Sequence, residues 1–346
     1  MSETFPVASG AKQVTTHVVV NADSNSLPFP SGMFQTAVTS PPYYGARLYM
    51  DGGDEHGREK TPDKYVSALV HILKETARCL KPDGTLFLNI ADNYAGLGGQ
   101  HGKSSVIGRK MQGTQMRAGK PPGFRYKDLF GIPWRVAFAL QGNAVVPVKT
   151  LVELCRAIDS RDLPALDALR AGFRLHEELE SMFYVRSNIA WVKGFQDKGF
   201  VAQGANEPES VTDRPTSAWE YVFLLAKQKR YYFNQEAVRT TTGGNVRDVF
   251  FLKTAAQDKA YPSNHPAPMP LSLARACILM GSRDGDWVLD PFGGSGTTSF
   301  AARSVGRNSA ISELNADNAR EAYEALNNPA YDTGTEAPRG SQGTLF

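Results

Sequence analysis

The run Asp290-Pro291-Phe292-Gly293-Gly294-Ser295-Gly296-Thr297-Thr298 restricts the possible folds of this chain more than any other stretch. It follows the strand-like Trp287-Val288-Leu289 and opens a helical segment through Ala302. Glycines at a strand-to-helix junction let the backbone turn tightly and approach a ligand, while the N–H groups of the helix start face it. No lysine stands where a Walker loop needs one, which disfavours nucleotide hydrolysis, and the spacing is not Gly-x-Gly-x-x-Gly. The competing reading is a glycine-rich turn with no ligand. Against it stands the next strand, Ser309-Ala310-Ile311-Ser312-Glu313, which ends on an acid placed to accept hydrogen bonds from a ribose diol.

Chain length then becomes informative. After Glu313 only one helix, Ala316 to Asn327, and a polar tail remain. A sheet that binds an adenosyl cofactor needs strands beyond the acidic one, and the N-terminus must supply them, as Val14–Val20 and Phe34–Val38. The expectation is an α/β fold with a Rossmann-like, mostly parallel sheet, circularly permuted: cofactor half at the end of the chain, chemical half at the start. The second strand runs into Thr39-Ser40-Pro41-Pro42-Tyr43-Tyr44, where two prolines end the ladder because neither can donate an N–H. A plain Pro-terminated surface turn is the alternative here.

The intervening chain reads as α/β throughout. Thr61 or Asp63 can cap a helix whose apolar spacing runs Val66, Leu69, Val70, Leu73, Ala77, Leu80; Lys81-Pro82-Asp83-Gly84 stops it, and Thr85 to Ile90 is a buried strand. From Asn93 to Lys127 the chain is glycine-rich, holds no Asp or Glu, and carries Lys103, Arg109, Lys110, Arg117, Lys120, Arg125 and Lys127. Such a one-signed loop is a solvated segment or a phosphate-backbone contact, and residues 93–130 are assigned to the second. Ile132-Pro133-Trp134-Arg135 starts a helix through Leu140, and residues 143–182 form a helical insertion of unassigned purpose. Met182–Trp191 and Glu220–Lys227 are strands; a mixed patch, 230–264, includes Arg239 and Arg247, and His265 to Pro270 precedes a helix from Leu271 to Met280.

Composition removes several function classes. With 41% hydrophobic and 21% charged residues among 346, the chain is ordinary globular material, and no apolar run approaches membrane-spanning length. The start of the chain lacks a signal pattern, so the expectation is a cytoplasmic protein with no membrane partner. Cys79, Cys155 and Cys277 are too scattered for a disulfide framework or a zinc cluster, and no metal is expected.

The glycine-rich run, taken with Thr39-Ser40-Pro41-Pro42-Tyr43-Tyr44-Gly45, resembles the β-class DNA amino-methyltransferases. The resemblance spans most of residues 14–331 and includes Leu80-Lys81-Pro82-Asp83-Gly84-Thr85-Leu86, Ile132–Arg135 and Asp213-Arg214-Pro215-Thr216; residues 143–182 depart from it. It implies a class I methyltransferase sheet over residues 13–331, S-adenosylmethionine as cofactor, and duplex DNA as partner. It implies that Phe292, Gly294 and Gly296 line the cofactor with Asp290 and Thr297, that Glu313 holds the ribose, and that Asp23 reaches the adenine. His265 to Pro270 would lie at the methionine end, with a helix-entry role for His265 as the alternative. Target recognition is assigned to 230–264, helped by the basic loop. Trp191 is a core residue that in the family sits near the target pocket.

Chemically, Ser40 and the Pro41 carbonyl would accept the hydrogens of an exocyclic amine, and a base turned out of the duplex would stack on Tyr43 beside Pro42. Ser-Pro-Pro-Tyr goes with cytosine N4 more often in the family, and Asp-Pro-Pro-Tyr with adenine N6, so cytosine N4 is expected and adenine N6 is the alternative. None of the cysteines stands after a proline as C5 methylation would need. A non-catalytic DNA-binding protein would have no use for Phe292–Thr298, and an RNA or protein methyltransferase less use for the basic segments. A cognate restriction endonuclease is consistent with the family, and monomer and homodimer both stay open.

Overall fold

The computed structural model describes residues 15–45, 56–96, 120–142, 148–164, 166–167, 182–193, 195–197, 200–202, 212–238, 244–254, 258 and 268–331. The strands are β1 (His17–Asn21), β2 (Phe34–Thr39), β3 (Leu80–Ile90), β4 (Tyr184–Lys193), the small pair β5 (Phe195–Asp197) and β6 (Phe200–Ala202), β7 (Trp219–Ala226), β8 (Val249–Leu252), β9 (Trp287–Asp290) and β10 (Asn308–Glu313). The helices are α1 (Pro62–Cys79), α2 (Ile132–Leu140), α3 (Val148–Asp159), α4 (Leu271–Gly281), α5 (Thr297–Ser304) and α6 (Ala316–Asn327).

Eight strands form one sheet in the order β1-β10-β9-β2-β3-β7-β4-β8. Strand β7 is antiparallel to both of its neighbours, and the other pairings are parallel. Strands β10 and β9 thus lie between β1 and β2; of the two N-terminal strands expected beyond the acidic one, β1 lies there and β2 pairs with β9 instead. Every residue of β2 is buried, as befits a central strand covered on both faces. Helices α1 and α2 cover one face through Tyr65, Leu69, Leu73, Ile132 and Val136. On the other face α4 and α5 pack with Leu273, Ile278 and Ala301, and α6 lies beside α5 through Leu326 and Phe300.

Local chemistry explains most boundaries. Thr61 Oγ1 caps α1 by accepting from the Lys64 N–H, whereas Asp63 pairs with Arg135 of α2 at 2.8 Å. Two expectations need correction. Strand β3 begins at Leu80, ahead of Pro82: the Lys81–Gly84 segment is a bulge within the strand, which resumes pairing at Thr85. Strand β8 lies inside the 230–264 patch and forms the sheet edge, held by Trp191 Nε1 donating to the Leu252 carbonyl at 3.2 Å. Within the 143–182 stretch α3 forms as its periodicity requires, and it leaves Val152 and Ile158 exposed.

Candidate functional site

The site lies where the crossovers of the sheet diverge. From β2 the chain crosses through α1 to β3; from β9 it crosses through α5 to β10, in the opposite direction and over the opposite face. Adjacent parallel strands with diverging crossovers leave a crevice at their carboxyl ends, and ligands of open α/β sheets bind there. Strand β2 delivers Ser40-Pro41-Pro42-Tyr43 to that crevice, and β9 delivers the glycine-rich turn. Ser40, Pro268, Met269, Asp290, Phe292, Gly293, Gly294, Ser295, Thr297 and Thr298 line one cavity. Residues separated by most of the chain therefore share a wall.

Asp290 joins the two halves. Its Oδ1 accepts from Thr39 Oγ1 at 2.7 Å and from the Phe292 N–H at 3.0 Å, and its Oδ2 accepts from Thr298 Oγ1 at 2.6 Å. The residue is only 4% exposed, and burial pushes its carboxyl up to about 6 against these opposing bonds. Gly294 and Gly296 hold φ of +49° and +81°, values that favour glycine, and Gly296 stands at the N-terminus of α5. Gly293 is required for another reason: a Cβ there would come 2.8 Å from Ile311 Cβ of β10. Turn and strand therefore pack closely.

Further along the same edge, Glu313 ends β10. Its Oε2 accepts from the Gly294 N–H and its Oε1 from the Asn315 N–H, at 2.8 and 2.9 Å, and burial raises its pKa. Asp23 follows β1, where its Oδ1 accepts from the backbone and side chain of Asn25. Neighbouring Ser24 donates to the Pro291 carbonyl, tying this turn to the glycine-rich one. Pro270 caps α4 behind Met269. His56, which the sequence did not single out, sets its ring edge-on against Phe292 at 6.1 Å.

The Ser-Pro-Pro-Tyr turn is held from below. Tyr65 of α1 donates its hydroxyl to the Pro42 carbonyl at 2.9 Å. Tyr43 donates to Glu220 Oε2 at 2.6 Å, with Asn89 Oδ1 at 3.2 Å and Ser40 Oγ at 3.3 Å from the same oxygen. Asn89 and Glu220 carry no motif, and only the pairing of β3 with β7 brings them together. Asp92 caps α2, accepting from the Gly131 and Ile132 N–H groups, which accounts for its burial without a catalytic role.

The basic segments are placed in part. Lys120 lies 5.4 Å over the Tyr126 ring, Arg125 pairs with Asp128 at 3.1 Å, and Lys127 pairs with Asp213. Both pairs are solvent-exposed and screened by salt. Arg247 is exposed just before β8. Lys103, Arg109, Lys110, Arg117, Arg239 and His265 lie outside the described residues. Among the described residues no group of His, Cys, Asp and Glu could hold a metal ion, and no helix is long and apolar enough to cross a membrane.

The chain is similar to known DNA methyltransferases. A family model described as DNA methylase matches residues 34–324. The type II methyltransferase M.SmaI of Serratia marcescens is 35% identical over 302 residues, spanning 86% of this chain and 85% of its own. M.Cfr9I of Citrobacter freundii, also a type II methyltransferase, is 35% identical over 291 residues, 83% of this chain and 79% of its own. Among solved structures, the cytosine-N4-specific PvuII DNA methyltransferase shares the fold, with a TM-score of 0.51 at 18% identity over 91% of this chain and 88% of that one.

Proposed function

We infer the reaction from kinship: this chain belongs to the DNA methylase family. It is a DNA amino-methyltransferase, and in our reading it moves a methyl group from S-adenosylmethionine to the exocyclic N4 of a cytosine turned out of duplex DNA. The observation that carries this reading is the shared cavity, which sets Ser40 against the glycine-rich turn across the β2–β9 crevice.

The residues present suit the cofactor. The backbone of Gly293 to Gly296 forms a cradle that a Cβ at Gly293 would disturb, Phe292 offers an apolar face, and Glu313 keeps acceptor capacity beyond its two backbone bonds. In this assignment Glu313 holds the ribose, Asp23 the adenine, and Met269 and Pro270 flank the methionine end. When bound, the cofactor supplies an electrophilic methyl on a sulfonium. The protein's task is to prepare the amine, whose lone pair is conjugated into the base. Acceptance of its hydrogens by Ser40 Oγ and the Pro41 carbonyl favours a pyramidal nitrogen and stabilises the positive charge that develops there. Tyr43, fixed through its hydroxyl, offers its ring face to the base. The basic residues of 93–130, with Arg247, supply the sequence-independent attraction to phosphate. Residues 230–264 are assigned to target recognition, and a partner endonuclease accords with the type II names of the relatives.

A neutral serine beside the two prolines favours cytosine N4, with adenine N6 as the second reading because both bases present the same amine geometry. Duplex DNA incubated with enzyme and methyl donor, then digested to nucleosides for mass spectrometry, is expected to contain N4-methylcytosine. N6-methyladenine as the sole product would overturn the choice of base.

A further inference from the structure

A buried polar cluster under the Ser-Pro-Pro-Tyr turn has no part in the reaction as described so far. Its centre is Glu220, at the start of β7 and 9% exposed. Glu220 Oε2 accepts from the Tyr43 hydroxyl at 2.6 Å and from Asn89 Nδ2 at 3.1 Å, and Oε1 lies 2.6 Å from Lys193 Nζ. The lysine and the amide keep a charge in this position paired, without which its burial would be costly.

The cluster has a direction. A carboxylate accepts and cannot donate, whereas a tyrosine hydroxyl has one proton to give. Two acceptors compete for that proton, Glu220 Oε2 at 2.6 Å and Asn89 Oδ1 at 3.2 Å, and the shorter, charge-assisted bond prevails. Held by Glu220, the proton points away from Ser40. The phenolic oxygen then faces Ser40 Oγ, 3.3 Å away, as an acceptor, and the serine proton turns toward it. Ser40 is left presenting lone pairs to the cavity, which is the polarity an amine donor requires. If Tyr43 donated to Ser40 instead, the serine proton would be turned outward against the amine hydrogens.

We propose that Glu220 is a positioning residue that acts through Tyr43 to hold Ser40 as a hydrogen-bond acceptor toward the substrate amine. The proposal rests on amine methylation at Ser40, so the wild-type enzyme is assayed beside each variant. Glu220→Gln keeps the shape but offers Tyr43 an amide donor. It is expected to lower kcat by about ten- to a hundredfold, with KM for S-adenosylmethionine and for duplex DNA and the melting temperature near wild type. In a Tyr43→Phe background, which keeps the ring and removes the relay, the same change is expected to alter kcat by less than about twofold, since coupled residues are not additive. A wild-type kcat in Glu220→Gln, or an equal loss in both backgrounds, would overturn the proposal. So would a loss that appears only as weaker binding or lower melting temperature. Should Glu220→Gln fail to fold, Tyr43→Phe alone decides: lower kcat with unchanged donor affinity supports the relay, and full activity removes it. A wild-type enzyme that transfers no methyl group to duplex DNA would remove the functional reading itself, a different result from an active wild type beside an unaffected variant.

Discussion

Asp290 shows how much of this site depends on one side chain. It stands on the central crevice, and three donors from both halves of the chain converge on it. Burial nevertheless raises its carboxyl from 3.8 to about 6, so desolvation outweighs those bonds. The native state therefore binds more protons than the unfolded chain between these two values. The associated stabilisation is fully present below the unfolded value and is lost as pH rises through the folded one. The change is on the order of 2–3 kcal/mol. Asp290→Asn cannot titrate, so the unfolding free energy of wild type relative to this variant is expected to fall by that amount between about pH 4 and pH 7 in urea titrations. A difference independent of pH would contradict this account of the residue. The sequence placed Asp290 at the end of a strand, and the resemblance implied a cofactor role for it, but neither pointed to Thr39 or Thr298 as partners. Those bonds depend on β2 lying against β9, a long-range pairing that no local pattern encodes.

At the scale of elements, the glycine-rich turn works because β10 supports it. Gly293 packs on Ile311, Gly296 on Ala322 of α6, and Gly294 is held by the Glu313 carboxylate. A Gly293→Ala substitution brings a methyl group into Ile311 and must displace the turn, at a cost of about 1–3 kcal/mol. Its expected signature is a lower melting temperature together with at least about tenfold weaker S-adenosylmethionine binding, read by calorimetric titration. Unchanged donor affinity would mean that the turn does not cradle the cofactor. Strands β9 and β10 and helix α6 were legible because apolar runs and the glycines between them agree locally. The bulge at Lys81–Gly84 was not, since Pro-Asp-Gly reads as a turn and only pairing with β2 keeps it within a strand. Edge strand β8 was missed because Val249–Leu252 is too short to carry a period of its own.

For the whole molecule, the order of the strands is what makes a site. The N-terminal half brings the Ser-Pro-Pro-Tyr turn, the C-terminal half brings the glycine-rich turn, and β9 and β10 enter between β1 and β2 so that the two line one cavity. The expectation that the N-terminus supplies strands beyond the acidic β10 holds for β1, whereas β2 lies on the other side of β9. The supports beneath the turn, Asn89, Lys193 and Glu220, were beyond reach from sequence because they come from β3, β4 and β7 and carry no motif. In the proposed reaction both turns serve one methyl transfer, with Ser40 acting on the amine rather than on the donor. The most direct measurement follows a labelled methyl group from S-adenosylmethionine into duplex DNA for wild type and Ser40→Ala, with donor affinity determined for both. The expected result is a transfer rate about a hundred- to a thousandfold lower in Ser40→Ala at unchanged donor affinity. Transfer at the wild-type rate by Ser40→Ala would contradict the account.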